Sequence, residues 1–531
     1  MGAAVVVTNI QGTLPQEFPQ GIYLRNGGNP IFGGLKRAES VFGRSSFTWV
    51  EGEGMVHALY FKKADDTNSN NNATWKVLYN NRFVQTDTFR MEKLDKNRPC
   101  FLPTVEGDSL AVLSAYFFNW LRFGKFNKDI GNTSVFEHSG KFYSIAENHL
   151  PYQMDINTLQ TFGSWDVNGA WNRPFTSHPK VYSSHLFFLL ILSLINHLKL
   201  VIMGITATKP FMEVGIISED GKRLVHKVDV KLNRGSFSHE IGVTKRFNVI
   251  LDYALTIDIN RLIRGGPLIK YEKEGYSKIG VMPRYGDSDS IQWFDVKTNC
   301  SMHLFNCFEH NEHEVVVWGC RACDSVIPGP EKGVNKIEWF SQKCKRNINE
   351  ENGSLLPLPY QWILNLKTGE AKEKYLVANE SPFMDFPFIN LRFNGLPNKF
   401  GYTQVLDSVA TSNSGMFKFG GLAKLHFEEP QTINQFSLDK TGKEEGIKVE
   451  YHMLEENSFC SGASFVERED GEEEDDGWII AHVHNEITNT SQVYIIDAKK
   501  FSDDPIAKIT LPHRVPYGFH GAFFPISSNQ I

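Results

Sequence analysis

Residues 135–147 read VFEHSGKFYSIAE. Two short runs that alternate apolar and polar side chains flank Ser139-Gly140, a dipeptide suited to a two-residue turn with both φ angles positive. The same device recurs along the chain. Asp220-Gly221 follows MEVGIIS, Thr368-Gly369 follows WILNL, and Asp476-Gly477 precedes WIIAHVH. Helix-length amphipathic patterns are scarce; the clearest is Asp108 to Phe126, DSLAVLSAYFFNWLRFGKF. Many short strands at regular turns indicate an all-β sandwich, barrel or propeller. Across 531 residues a propeller is favoured, because radial repetition adds strands without leaving long open edges. No strict sequence repeat marks the blades, so the turn spacing alone carries that reading.

Composition sets the outer limits. The hydrophobic share of 41% and charged share of 22% suit a chain with a packed core. Phe is abundant, with 40 copies against 17 Tyr and 10 Trp. Aromatic rings in that number fill a large core or line an apolar tunnel for a long, flat ligand. A net charge of −6, without basic runs interleaved with aromatics, argues against a nucleic-acid partner. The seven cysteines are few, odd in number and scattered, as in a reducing compartment. Cys320 and Cys323 have CxxC spacing, but no second such pair completes a four-cysteine site. The N-terminus lacks the basic region and cleavage pattern of a secretory signal, and the expected location is the cytoplasm. Two polar stretches, 65–72 (DDTNSNNN) and 467–476 (EREDGEEEDD), read as solvated loops.

The chain holds 17 histidines, and most read as structural rather than functional. His57, His138, His149, His226, His426, His452 and His513 each stand alone at strand or turn positions. They read as surface or satisfied core groups. His482 and His484 alternate on one strand face without a third ligand nearby. Four others have a distinct setting: His178 in PFTSHPK, His239 in GSFSHEIGVT, His303 in CSMHLFNCFE and His520 in VPYGFHGAFF. The intervals between them are 61, 64 and 217 residues. Seven blades in this chain would take about 76 residues each, so the intervals approximate one, one and three blades. That spacing suits four blades each aiming one imidazole at a metal on the propeller axis.

The segments YLRNGGNP (23–30), WVEGEGMVHAL (49–59), NRPFTSHPK (172–180), SHEIGVT (238–244) and YGFHG (517–521) make the sequence specific. In order and spacing the chain resembles the carotenoid cleavage dioxygenases, above all their plant branch that cuts at a 9,10-type double bond. The resemblance runs from about Ile10 to Phe524. It implies one domain over residues 1–531, a seven-bladed β-propeller capped by a helical or loop dome over an axial metal. It also implies one Fe(2+) per chain held by His178, His239, His303 and His520, with O2 as co-substrate. Glu147 (SIAENHLPY) and Asp385 (MDFPFIN) match two carboxylates that orient ligand histidines in the family. The implied reaction is oxidative cleavage of a carotenoid or apocarotenoid double bond to two carbonyl products. A stilbene-cleaving oxygenase of the same family is the nearest catalytic alternative, and an apocarotenoid-binding propeller without turnover the nearest non-catalytic one.

Three departures accompany the resemblance. Where a third carboxylate is expected, in a Glu-Pro-x-Phe-Val stretch, the chain reads GASFV with Gly462 at the acid's place. An apolar segment, about 181–198, replaces a short polar turn directly after His178. The chain also begins several dozen residues later than relatives do, so the resemblance offers a plastid as the alternative location, reached by a transit peptide. Substrates of this class live in membranes, and peripheral membrane contact is expected through Phe117, Phe118, Trp120, Leu121 and Phe123.

Overall fold

The computed structural model describes residues 1–31, 37–48, 50–63, 75–94, 101–182, 198–325, 327, 356–378, 380–409, 416–427 and 446–526. The expected loop at 65–72, Trp49, Cys100, Cys344 and most of the apolar segment after His178 lie outside them. The chain is mostly β, as the turn pattern predicts.

Four consecutive four-stranded antiparallel meanders occupy the middle of the chain. Their first strands are Ser134–His138, Lys180–Tyr182, Gly242–Val243 and Leu304–Asn311. The first meander contains the Ser139-Gly140 turn, with φ of 55° and 73°, which pairs Lys141 with His138. Gly221 and Gly369 take positive φ at two of the other predicted turns, where a residue without Cβ adopts the left-handed conformation at least cost, whereas Gly477 opens the strand Gly477–Asn485 without it. A nine-stranded sheet follows. It consists of two meanders joined through one residue pair, Phe419 with Cys460. The last sheet unites the chain's ends: Gly21–Arg25 lies between Met55–Lys63 and Gly521–Pro525. Likewise, Ile10–Gly12 adds to Ala507–Thr510 at the edge of the nine-stranded sheet.

Apolar residues from successive sheets interlock between them. Val249, Leu251 and Ile279 of one meander pack with Leu304, Val317 and Trp362 of the next. Burying a side chain of this size contributes about 1.5–3 kcal/mol, so each inter-sheet layer is a substantial source of stability. Lys199–Ile205 is a buried strand, so the end of the apolar run after His178 serves as core.

One long helix among the described residues, Ser109–Phe123, lies outside the meanders and packs against the strand Gly43–Ser46. Gly124 ends it in the left-handed conformation (φ 68°), its N–H donating to Trp120 O at 2.8 Å. The helix buries Ala111, Val112, Ala115 and Asn119. Val112 joins a cluster with Leu255, Leu262 and Ile269, against which Phe237 and Met302 also pack. Those last two residues immediately precede the segments of His239 and His303, so the helix leans on the backbone that carries them. Its other face exposes Phe117, Phe118, Trp120 and Leu121. Phe123 differs from that expectation: it is half-buried, its ring 4.5 Å from that of Phe101.

Candidate metal centre

The four histidines singled out in sequence occupy equivalent places. His178, His239 and His303 lie within three residues before the first strand of a meander, and His520 directly precedes Gly521–Pro525. Each therefore sits where the chain enters a sheet, before alternation takes over the side-chain direction. Backbone contacts hold the entry segments to one another. Thr176 Oγ1 donates to His239 O at 2.8 Å and accepts from His178 N–H at 3.2 Å. His178 pairs with Glu240 in a parallel bridge. His520 N–H donates to Thr133 O, and His520 O accepts from Asn26 N–H at 3.0 Å.

One ring nitrogen from each histidine lies within 4.8 Å of all the others. His178 Nε2 and His239 Nε2 are 2.9 Å apart. Nitrogens on opposite sides of one ion would stand about 4.2 Å apart at ordinary metal–imidazole lengths, so the set fits a single ion. His303 Nε2 is buried and has no hydrogen-bond partner among the described residues, the state expected of a nitrogen whose lone pair awaits a metal. Among the described residues this is the one cluster of three or more His, Cys, Asp or Glu groups suited to a metal. Four imidazoles suit Fe, Zn, Cu or Ni.

Two carboxylates turn the rings toward the common point. Glu147 Oε1 is paired with His239 Nδ1, and Asp385 Oδ1 with His303 Nδ1 at 2.8 Å. A carboxylate accepting from Nδ1–H leaves Nε2 as the ligand atom and raises its basicity. Burial disfavours charge on His239, but Glu147, with Glu240 and Asp385 farther off, reverses the balance and raises the ring's pKa. Burial favours a neutral Glu147 acid, and His239 reverses that. For His178 and His520, burial first and the neighbouring rings second press the pKa well below the ordinary range. Both rings are thereby held neutral, the form that binds a metal.

His520 has no carboxylate partner among the described residues. The Gly462 backbone takes a φ of 68°, and its carbonyl receives the Tyr23 hydroxyl at 2.5 Å. A Cβ at Gly462 would fall 2.4 Å from Arg25 Cγ. Packing does part of the missing work, since the Phe386 ring lies 4.8 Å from the rings of both His303 and His520.

Two contributors escaped the sequence reading. Phe386 held no signal beyond its place after Asp385. Glu240 was legible only as the neighbour of His239; it is buried, pairs with Lys180 and accepts Leu304 N–H at 2.7 Å, tying two entry segments together. The remaining described histidines mostly have ordinary partners: His138 with Ser218 O, His226 with Gly286 O, His452 with Phe501 O and His484 with Ser491 Oγ. Cys320 and Cys323 are buried free thiols.

The family model described as retinal pigment epithelial membrane protein (RPE65) matches residues 2–525. A carotenoid 9,10(9′,10′)-cleavage dioxygenase 1 of Pisum sativum is 28% identical, over 98% of this chain and 87% of its own. The corresponding enzyme of Crocus sativus is 29% identical over 97% of this chain and 85% of its own. Among solved structures, a variant of the Synechocystis apocarotenoid oxygenase superposes with a TM-score of 0.73 at 18% identity, over 98% of this chain and 96% of that one. The lignostilbene dioxygenase of Pseudomonas brassicacearum also reaches 0.73, at 22% identity over 98% and 95%. At such identities the structural likeness speaks to fold.

Proposed function

The chain belongs to the RPE65 and carotenoid cleavage dioxygenase family, and from that membership we propose that it is an iron(II) dioxygenase cleaving a double bond of a carotenoid or apocarotenoid. The observation that carries this reading is the convergence of four imidazoles with two carboxylates behind them. His178, His239, His303 and His520 are the proposed ligands, with Glu147 and Asp385 orienting two of them. The proposed architecture is one domain, a seven-bladed propeller. The two meanders of the nine-stranded sheet supply two blades and the sheet joining the termini a third, beside the four central meanders. The helix Ser109–Phe123 belongs to the dome.

When bound, iron(II) supplies the redox chemistry that makes dioxygen reactive toward an alkene. The overall change is R–CH=CH–R′ + O2 → R–CHO + R′–CHO: one C=C and one O=O bond break, and two C=O bonds form. The chain's own groups provide orientation and a dry, apolar surround. Neutral His178 and His520 keep their lone pairs available, and the Glu147 and Asp385 carboxylates fix the other two rings. Phe386 closes one side of the site with an apolar face and limits water beside His303 and His520. The 9,10-type bond is favoured by likeness to the pea and saffron-crocus enzymes.

Substrate reaches such a site from a lipid phase. The exposed Phe117, Phe118, Trp120 and Leu121 face is the proposed membrane contact. No described helix is long and apolar enough to cross a membrane. A plastid remains the alternative to a cytoplasmic setting, because relatives include proteins named chloroplastic.

The deciding experiment incubates the iron-loaded protein with apocarotenals, carotenoids and stilbenes under 18O2. Two labelled carbonyl products from a polyene, with the cut at the 9,10 position, support the reading. Cleavage of stilbenes alone would transfer it to the stilbene class. Tight polyene binding without products would leave a non-catalytic binding protein.

A further inference from the structure

Next to Gly462, on strands Gly21–Arg25, Met55–Lys63 and Gly477–Asn485, lies a second polar cluster that the proposed chemistry does not use. Arg25 is fully buried, and His57 and His482 nearly so, at 1% and 3% exposed. Arg25 and His57 are paired residues on adjacent strands, and the rings of His57 and His482 lie 6.1 Å apart. Arg25 donates from Nη2 to Pro516 O and, at 3.4 Å, to Ser461 Oγ. Among the described residues its Nε and Nη1 have no partner, and neither do His57 Nε2 and His482 Nε2. Four orphaned nitrogens on three neighbouring buried residues are far outside the usual accounting of a protein interior.

The surrounding hydroxyls fix which of these atoms carry hydrogen. Asn81 Nδ2 donates to Tyr79 OH at 2.9 Å, leaving that hydroxyl to donate to His57 Nδ1 at 2.7 Å. His57 Nε2 is then an N–H donor. Tyr23 OH donates to Gly462 O, so His482 Nδ1 donates to the Tyr23 oxygen at 3.3 Å and leaves Nε2 bare. Arg25 Nε and Nη1 and His57 Nε2 thus offer four N–H bonds against one acceptor. Charge completes the argument. Among the described residues no carboxylate pairs with Arg25, and the groups that act on its charge are burial, Tyr23 and Tyr79. A fully buried guanidinium without a counter-ion is strongly disfavoured, and native interiors relieve such a charge by pairing it. A single water satisfies hydrogen bonds but leaves that charge standing. A small anion answers both demands.

We propose that Arg25 and His57, with His482 as the facing wall, form a binding site for one halide-sized monovalent anion. Its place gives it a bearing on the metal centre. Gly518 packs directly on the guanidinium, where a Cβ would fall 2.3 Å from Arg25 Cζ, and it lies two residues before His520. The anion lies beneath the segment that delivers His520, one of the two candidate ligands without a carboxylate partner among the described residues. The site is independent of whether the chain binds iron.

Crystals of the full chain soaked in sodium bromide test it directly. The expected result is an anomalous bromide peak within hydrogen-bond distance of Arg25 Nε or Nη1 and His57 Nε2. A water-sized peak without anomalous signal, or no peak, overturns the proposal. In solution, replacing gluconate by chloride at constant ionic strength should raise the melting temperature saturably, and Arg25→Met should abolish that response. Equal melting temperatures in the two salts for the unaltered chain count against the site. Where Arg25→Met does not fold, His57→Leu replaces it and should weaken the chloride response.

Discussion

Asp385 Oδ1 lies 2.8 Å from His303 Nδ1 and also accepts Phe386 N–H at 2.8 Å, so one carboxylate oxygen fixes both a candidate ligand and the aromatic ring packed against it. Removing the charge while keeping the shape isolates this role. Asp385→Asn should fold normally yet lower iron affinity or turnover by about 10–100-fold, the usual effect of losing such an outer partner. Iron titration of the anaerobic variant beside thermal melting separates the two. A variant with unaltered affinity and rate would remove Asp385 from the account.

Gly462 is a different kind of position. Its φ of 68° and the 2.4 Å approach of a built Cβ to Arg25 Cγ leave no room for a side chain. Gly462→Ala should cost about 1–3 kcal/mol of stability, as a strained left-handed residue with a clash does. Gly462→Glu, although it introduces the acid that the family resemblance leads one to expect, should destabilise further and not tighten iron binding. Denaturant melts and iron stoichiometry of both variants check this.

The apolar face of helix Ser109–Phe123 provides a third test. Phe117→Ser with Phe118→Ser removes two exposed rings that support no described core cluster. Co-sedimentation with liposomes should fall several-fold, while iron content and melting temperature stay unchanged. Undiminished binding would dissociate this face from membrane contact.

Glu51 gives the pH behaviour. Its carboxylate accepts Thr48 N–H at 2.7 Å, and burial, opposed by the Thr48 hydrogen bonds, raises its pKa to about 7. A raised carboxyl pKa means that the folded chain binds the proton more tightly than the unfolded one. The associated stability is present below the ordinary carboxylate range and is lost as pH rises through about 7. Between pH 5 and about 7.5 the melting temperature should therefore decline by a component that Glu51→Gln removes. A parallel pH profile in the variant would contradict the assignment.

Much of this was legible in the sequence for physical reasons. Turn dipeptides such as Ser139-Gly140 need φ values that few residues tolerate, so they mark strand ends without any knowledge of the fold. The four histidines stood out because small or polar residues precede each strand entry. What stayed hidden depends on relations between distant strands. Arg25 carries no separate signal within YLRNGGNP, and only the packing of Gly462 and Gly518 around it shows a buried cation. His57 looked solitary and His482 was grouped only with His484, because 425 positions separate the two, yet adjacent sheets bring their rings to 6.1 Å. Joining two meanders through Phe419 and Cys460 likewise leaves no local trace. The apolar segment after His178 falls mostly outside the described residues, while its final stretch is an ordinary core strand.

The central claim is a single iron held by four imidazoles, and metal counting tests it most directly. Protein purified without oxygen and reloaded with iron(II) is assayed for iron per chain, with His303→Ala as the control. The account predicts close to one iron per chain, lost in the variant. Little iron in the parent, or equal iron in both, would contradict it.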